Sequence, residues 1–440
     1  MARPRLTVIG TGYLGATHAV CMAELGFDVL AIDVDEAKVK ALSNGEVPFF
    51  EPGLEPMLRT TLATRRLAFT TSWEEVAEFG DVHFICVGTP QRPDGNAADL
   101  SYVEAAVTSL AAELRRPCVI AGKSTVPVGT AERLADQLRA LAPAGDGVEL
   151  AWNPEFLREG FAIEDTLRPD RLVFGVSSAR GEAAMREVYA APIAAGTPVV
   201  VTDLATAQLV KVAANAFLAT KISFINAMAE VCEATGADVT KLSEALSHDT
   251  RIGGRFLHAG LGFGGGCLPK DIRAFMARAE ELGVEPAVSF LSEINAINLR
   301  RRARMVDLAR ELLSGSFTDR RVAVLGAAFK PNSDDIRDSP ALDVAQRIHQ
   351  AGATVRVYDP RAMNRARVAY PDLEYAASAI EAARDADIVL HLTEWQEFRD
   401  LAPELLGTIV AQRNIVDGRN ALDPHRWRDA GWTYRALGRK

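Results

Sequence analysis

Cysteine is scarce and nowhere paired. The five thiols stand at Cys21, Cys86, Cys118, Cys232 and Cys267. No Cys-x-x-Cys spacing occurs, so neither a disulfide framework nor a zinc knuckle is indicated, and a reducing cytoplasm fits. The seven histidines are isolated, and no metal-ligand spacing is visible. No long basic run occurs and the net charge is −9, which argues against a nucleic-acid partner. No apolar run reads as long enough to span a membrane. The start, Met1-Ala2-Arg3-Pro4-Arg5, leads into a strand with no hydrophobic signal region. At 440 residues, 48% hydrophobic and 24% charged, the chain reads as a multidomain globular protein.

The most unusual stretch is Phe263-Gly264-Gly265-Gly266-Cys267-Leu268-Pro269-Lys270-Asp271. One thiol sits among glycines, with a lysine and an aspartate three and four residues later. Glycines let a ligand approach the main chain. A nearby cation favours a thiolate, and a carboxylate can handle protons. Taken alone, the stretch reads equally well as a glycine loop carrying a small buried hydrophobe.

The first third carries a dinucleotide signature. Leu6–Ile9 predicts a strand and Gly10-Thr11-Gly12-Tyr13-Leu14-Gly15 a glycine turn. Ala16–Leu25 then predicts a helix, and Asp28–Asp33 a second strand. The glycines serve the tight turn, the pyrophosphate approach and the helix–strand packing, in that order. Asp33 can accept bonds from ribose hydroxyls and would repel a 2′-phosphate, which favours NAD over NADP. Further strands are expected at 82–87, 118–122 and 148–152. The loops after them, Gly88-Thr89-Pro90, Lys123-Ser124-Thr125-Val126-Pro127 and Asn153-Pro154-Glu155-Phe156-Leu157-Arg158-Glu159, should line the crevice at the strand ends. A helix starting at Pro154 would put Glu155 and Glu159 on one face; a solvated first turn explains the same pair.

From 206 to about 236 the chain predicts one long apolar helix. Lys211 and Asn215, four apart, share a face of it. They either mark a wet stripe or are buried with partners. Such a helix could also form a dimer interface. The last third repeats the strand–helix order at 321–326, 340–350, 354–359, 387–392 and 414–417. Its loop, Gly326-Ala327-Ala328-Phe329-Lys330, lacks the second and third glycines. The fold class expected is α/β, with two Rossmann-like doubly wound lobes joined by a long central helix. The expected domains are 1–202, 203–316 and 317–440.

Together these motifs resemble the UDP-glucose/GDP-mannose dehydrogenase family over nearly the whole chain. The likeness adds Val128-Gly129-Thr130, Arg251-Ile252-Gly253, Phe329-Lys330-Pro331, Asp334-Asp335-Ile336-Arg337 and Asp417-Gly418-Arg419-Asn420. Phe256 and Ala259 depart from the tyrosine and proline common in relatives. The resemblance implies a four-electron oxidation of a nucleotide sugar by NAD, with UDP-glucose as substrate and GDP-mannose as the alternative. Two hydride transfers from one carbon need a nucleophile to add to the aldehyde between them. By resemblance Cys267 is that nucleophile, Lys211 and Asn215 stabilise the oxyanion, and Asp271, Thr125 and Glu155 handle water. NAD contacts are implied at Gly10, Gly12, Tyr13, Leu14, Gly15, Asp33, Lys38, Thr89, Thr125, Glu159, Lys270 and Arg337. Substrate contacts are implied at Glu155, Phe156, Leu157, Arg158, Glu159, Lys211, Asn215, Arg251, Phe256, Phe263, Gly264, Gly266, Cys267, Phe329, Lys330 and Arg419. In the family the loop bearing Arg419 can come from the partner subunit, which implies a homodimer. No metal, nucleic-acid or membrane partner is expected.

Overall fold

The computed structural model describes residues 3–439. The chain packs as two compact units, Met1–Ala214 with Arg273–Val284, and Asn215–Ile272 with Glu285–Lys440.

In the first unit, short apolar runs form the strands β1 (Leu6–Ile9), β2 (Val29–Ile32), β3 (Leu67–Thr70), β4 (Val82–Ile85), β5 (Cys118–Gly122), β6 (Val148–Trp152), β7 (Leu172–Gly175) and β8 (Val199–Thr202). They make one sheet in the order β3-β2-β1-β4-β5-β6-β7-β8. β1 and β4 are buried at every position, as expected of parallel strands covered on both faces. β6 and β7 pair antiparallel; every other neighbour is parallel. The first six strands follow the Rossmann order, so the sheet reverses direction between β1 and β4 and opens a crevice at their carboxyl ends.

The second unit repeats this order with β9 (Arg321–Leu325), β10 (Thr354–Tyr358), β11 (Glu374–Tyr375), β12 (Ile388–His391), β13 (Asn414–Asp417) and β14 (Thr433–Ala436). All its pairs are parallel, in the order β11-β10-β9-β12-β13-β14. Its core is mostly Val, Ile, Leu and Ala from these strands and from the helix Pro340–Gln350. Asp359 follows β10 as Asp33 follows β2. The Asp359 carboxylate, however, accepts from Ala327 N (2.8 Å), Ala328 N (3.0 Å) and Trp395 Nε1 (3.0 Å). A side chain at Gly326 would collide with Thr393. Asp359 thus holds its own loop, as Asp33 does in the first unit, and in addition takes the Trp395 indole.

The predicted central helix is continuous from Leu204 to Thr235, 32 residues. By length and composition alone it could cross a membrane. This corrects the expectation that no segment is long enough. Gln208, Lys211, Asn215, Ser223 and Asn226 are all buried on it. Ser223 Oγ donates to Ile294 O (2.8 Å), and Asn226 Oδ1 accepts from Gly260 N (2.9 Å). Burial in protein requires such partners, and Asn226 Nδ2 is the exception, with no hydrogen-bond partner among the described residues.

Candidate active site

In the first unit the glycine turn follows β1. Gly10 has φ of +87°, a conformation that favours glycine, and a Cβ there would crowd Val87. A Cβ at Gly15 would strike the Gly10 carbonyl. Nothing lies within 4 Å of the Cβ position at Gly12, so the main chain there is open to a ligand. Gly12 begins the helix Tyr13–Glu24, and no side chain caps it. The free N–H groups and positive helix end thus suit a pyrophosphate.

Asp33 is buried. Its Oδ2 accepts from Thr11 N (2.8 Å), Thr11 Oγ1 (2.9 Å) and Lys38 Nζ (2.9 Å). Burial alone would raise its pKa, but these bonds hold the carboxyl below its ordinary value. Oδ1 accepts Asp35 N (3.1 Å) and keeps capacity for a ribose hydroxyl. These residues fit NAD.

Two loops at the strand ends meet here. Thr89 Oγ1 donates to the Thr125 carbonyl (2.8 Å), joining the segments after β4 and β5. No helix starts at Pro154; residues 153–158 are irregular and the next helix is Ala162–Leu167. The Glu155 side chain takes the Leu157 N–H (2.5 Å), a local bond that competes with a helical turn. Its other oxygen pairs with Lys211 Nζ at 2.9 Å, both side chains being nearly buried. Phe156 lies against Lys211 and Arg171. Arg158 turns away to a bidentate pair with Asp165. Glu159 is half-buried in the same loop. The Tyr13 hydroxyl donates to Glu51, and Glu51 also accepts Gly160 N (2.6 Å) and Ala162 N (2.7 Å). Leu14 packs with the core beneath this helix.

Sequence reasoning passed over Glu51. It also gave no role to Lys123, which is buried with its ammonium on Asn153 Oδ1 (3.0 Å) and the Tyr189 hydroxyl (3.2 Å). Burial pushes the Lys123 pKa down to about 8.

Of the five thiols, Cys21, Cys86 and Cys118 in the first unit and Cys232 in the second are buried, and Cys267, in the second, is the exposed one. Burial raises Cys21 and Cys86 to about 12 and Cys118 to about 11, so they stay protonated. Cys267 immediately precedes the helix Leu268–Glu281, and its carbonyl accepts Asp271 N (2.9 Å). A helix N-terminus favours a thiolate. Asp271 is buried, with one oxygen on Asn215 Nδ2 (2.6 Å) and the other on Lys270 Nζ (2.5 Å). Lys211 and Asn215 are thus both buried and both paired to a carboxylate, one turn apart on one helix.

The glycine loop is mounted by side chains distant in sequence. Asn298 accepts from Phe263 N (2.7 Å) and donates to Phe263 O (3.0 Å). A Cβ at Gly264 would strike the Asp338 carbonyl, and one at Gly265 the Phe329 ring. Lys330 Nζ lies 5.4 Å from that ring's centre. Arg419 donates to Leu392 O (2.7 Å), Gly262 O (3.1 Å) and Phe329 O (3.0 Å). Arg251 is not brought to the loop by its own bonds: it is highly exposed and paired with Asp249. Phe256 is half-buried with φ of +66°.

Fold and site together define a two-lobed nucleotide-binding protein of the Rossmann type, with an exposed cysteine at a helix terminus. Three models of one family match the chain in order: the NAD binding domain at residues 4–193, the central domain at 205–300 and the UDP binding domain at 323–424. The chain belongs to the UDP-glucose/GDP-mannose dehydrogenase family, and NAD is its cofactor. It is 43% identical over 437 residues to UDP-glucose 6-dehydrogenase of Rhizobium meliloti, covering 99% of each chain. It is 39% identical over 436 residues to UDP-glucose 6-dehydrogenase TuaD of Bacillus subtilis, covering 99% of this chain and 93% of that one. A solved UDP-glucose dehydrogenase from Pyrobaculum islandicum superposes with a TM-score of 0.91 at 38% identity, covering 100% of this chain and 98% of the other.

Proposed function

We propose that this chain oxidises UDP-glucose to UDP-glucuronate, with Cys267 as the nucleophile between two oxidation steps. The observation that carries the reading is the exposed Cys267 thiol at a helix N-terminus, beside an aspartate held by Asn215 and Lys270. The relatives named UDP-glucose 6-dehydrogenase and the match to a UDP binding domain support the substrate.

Bound NAD supplies the hydride acceptor. The C6 alcohol loses a hydride and its hydroxyl proton to become an aldehyde. The Cys267 thiolate adds to that carbonyl, and the oxyanion formed is met by the Lys211 ammonium and the Asn215 amide. Loss of a second hydride leaves a thioester, which water cleaves to the acid and the free thiol. Asp271 accepts the water's proton, with Glu155 and Thr125 placing the water. Arg419 and Lys330, anchored beside the glycine loop, face the sugar nucleotide.

The test is the NADH formed per mole of limiting UDP-glucose with NAD in excess. Two equivalents and UDP-glucuronate are expected. One equivalent would remove Cys267 from the mechanism. Equal or better turnover of GDP-mannose would overturn the substrate.

We also infer a homodimer formed along the central helix. Phe217, Phe224 and Val231 are 66%, 46% and 52% exposed and recur every seven residues, the spacing of a helix–helix seam.

A further inference from the structure

The segment that presents Cys267 has no regular structure, yet its main chain is accounted for almost group by group. Leu261 N donates to Gly418 O (2.9 Å), and Asn298 holds both polar groups of Phe263. The two N–H groups directly before the thiol go to one short segment. Gly265 N donates to the Arg337 carbonyl (2.8 Å), and Gly266 N donates to Asp335 Oδ2 (3.2 Å). Asp335 is buried. Its carboxylate also accepts from Arg337 N (2.9 Å), Nε (2.9 Å) and Nη2 (2.7 Å), which curls the arginine back on itself. The curl lays the guanidinium on the main chain: a Cβ at Gly266 would collide with Arg337 Cζ and both terminal nitrogens. Only glycine leaves room for that stacking. Phe329 N donates to the Asp335 carbonyl (3.1 Å), and Asp335 N donates to Ser333 Oγ (3.0 Å), so the clamp is itself fixed.

We propose that Asp335 is a positioning residue for Cys267. By holding Gly266 and the Arg337 guanidinium together, it fixes the peptide that aims the thiol from the helix terminus. This rests on the reading of Cys267 as nucleophile, and it extends that reading to a residue that touches neither substrate nor cofactor. Without the carboxylate, Gly266 N–H loses its acceptor and a triplet of glycines regains its freedom. Arg337, whose side chain is already 63% exposed, swings into solvent, where its charge is screened. The thiol then leaves the first turn of the helix, where the terminus favours the thiolate.

The test is carbamidomethylation of the full-length protein by iodoacetamide between pH 6 and 10, with modification at Cys267 followed by peptide mass spectrometry. The other four thiols are buried, so the signal belongs to one site. Asp335→Ala should slow Cys267 modification at pH 7 at least fivefold and move the midpoint of its pH profile upward. Asp335→Asn, which keeps an acceptor for Gly266, should fall between Asp335→Ala and the parent. Arg337→Gln alters only a largely exposed side chain and should fold even if Asp335→Ala does not; it too should slow the reaction. Parent-like rates and midpoints in the folded variants, or faster modification, overturn the proposal. The assay involves no turnover. A parent enzyme yielding one NADH per sugar would defeat the four-electron reading and leave this result to be judged separately.

Discussion

Replacing Lys123 by methionine removes a buried ammonium that has no carboxylate among its hydrogen-bond partners. Asn153 and Tyr189 are neutral acceptors, and the buried Cys86 and His18 are held uncharged. Burial is the main reason that the Lys123 pKa falls from 10.5 to about 8. Below about pH 8 the folded and unfolded chains both carry the proton, and folding bears the full penalty. Between about 8 and 10.5 the folded chain has released it while the unfolded chain has not, so stability rises with pH across that window. The shift corresponds to about 3 kcal/mol. Methionine has similar volume, and Asn153 Oδ1 still accepts the Tyr189 hydroxyl at 2.6 Å, so lost hydrogen bonding costs about 1 kcal/mol. Lys123→Met should therefore be about 2 kcal/mol more stable than the parent at pH 7. The advantage should shrink through pH 9 and vanish or reverse near pH 10.5. Urea midpoints for both proteins at four pH values across this range supply the comparison. A gap that stays flat with pH would refute the buried-charge argument.

Asp33→Ala should weaken NAD by about tenfold, near 1.4 kcal/mol, and erase most discrimination against NADP; KM for the two cofactors reads both effects. Asn298→Ala strands the N–H and carbonyl of Phe263 in a buried site and should cost about 2–4 kcal/mol, visible as a lower denaturation midpoint. Phe217→Glu with Phe224→Glu places charge on the exposed seam of the central helix. The double variant should sediment as a monomer where the parent sediments as a dimer.

The sequence made the sheets and the fingerprint legible because buried parallel strands are short unbroken apolar runs, and the glycine spacing has a steric cause at each position. The long helix was legible from its composition. The apolar setting of Lys211 and Asn215 left burial open as one reading, and their partners, Glu155 and Asp271, are at least fifty residues away in the chain. Distance along the chain is also what concealed Asn298 and Asp335. Asn298 stands in a charged helix where a polar residue draws no notice, and Asp335 is 69 residues from the amide it holds. β3, β7, β8, β11 and β14 went unread, being runs of two to four residues. The absent helix at Pro154 shows local chemistry overriding spacing: one carboxylate took the amide that a helical turn required.

The glycines missing from the second lobe's loop fix a stoichiometry. Six strands run in the same order in both lobes and an acid follows the second strand of each, yet the second lobe's turn is Gly326-Ala327-Ala328 where the first has Gly10-Thr11-Gly12, and Asp359 also takes the Trp395 indole. A titration of the full chain with NAD should accordingly reach its end point at one equivalent. The repeated strand order thus ends in two different turns, and one of them has the open glycine that a pyrophosphate approaches.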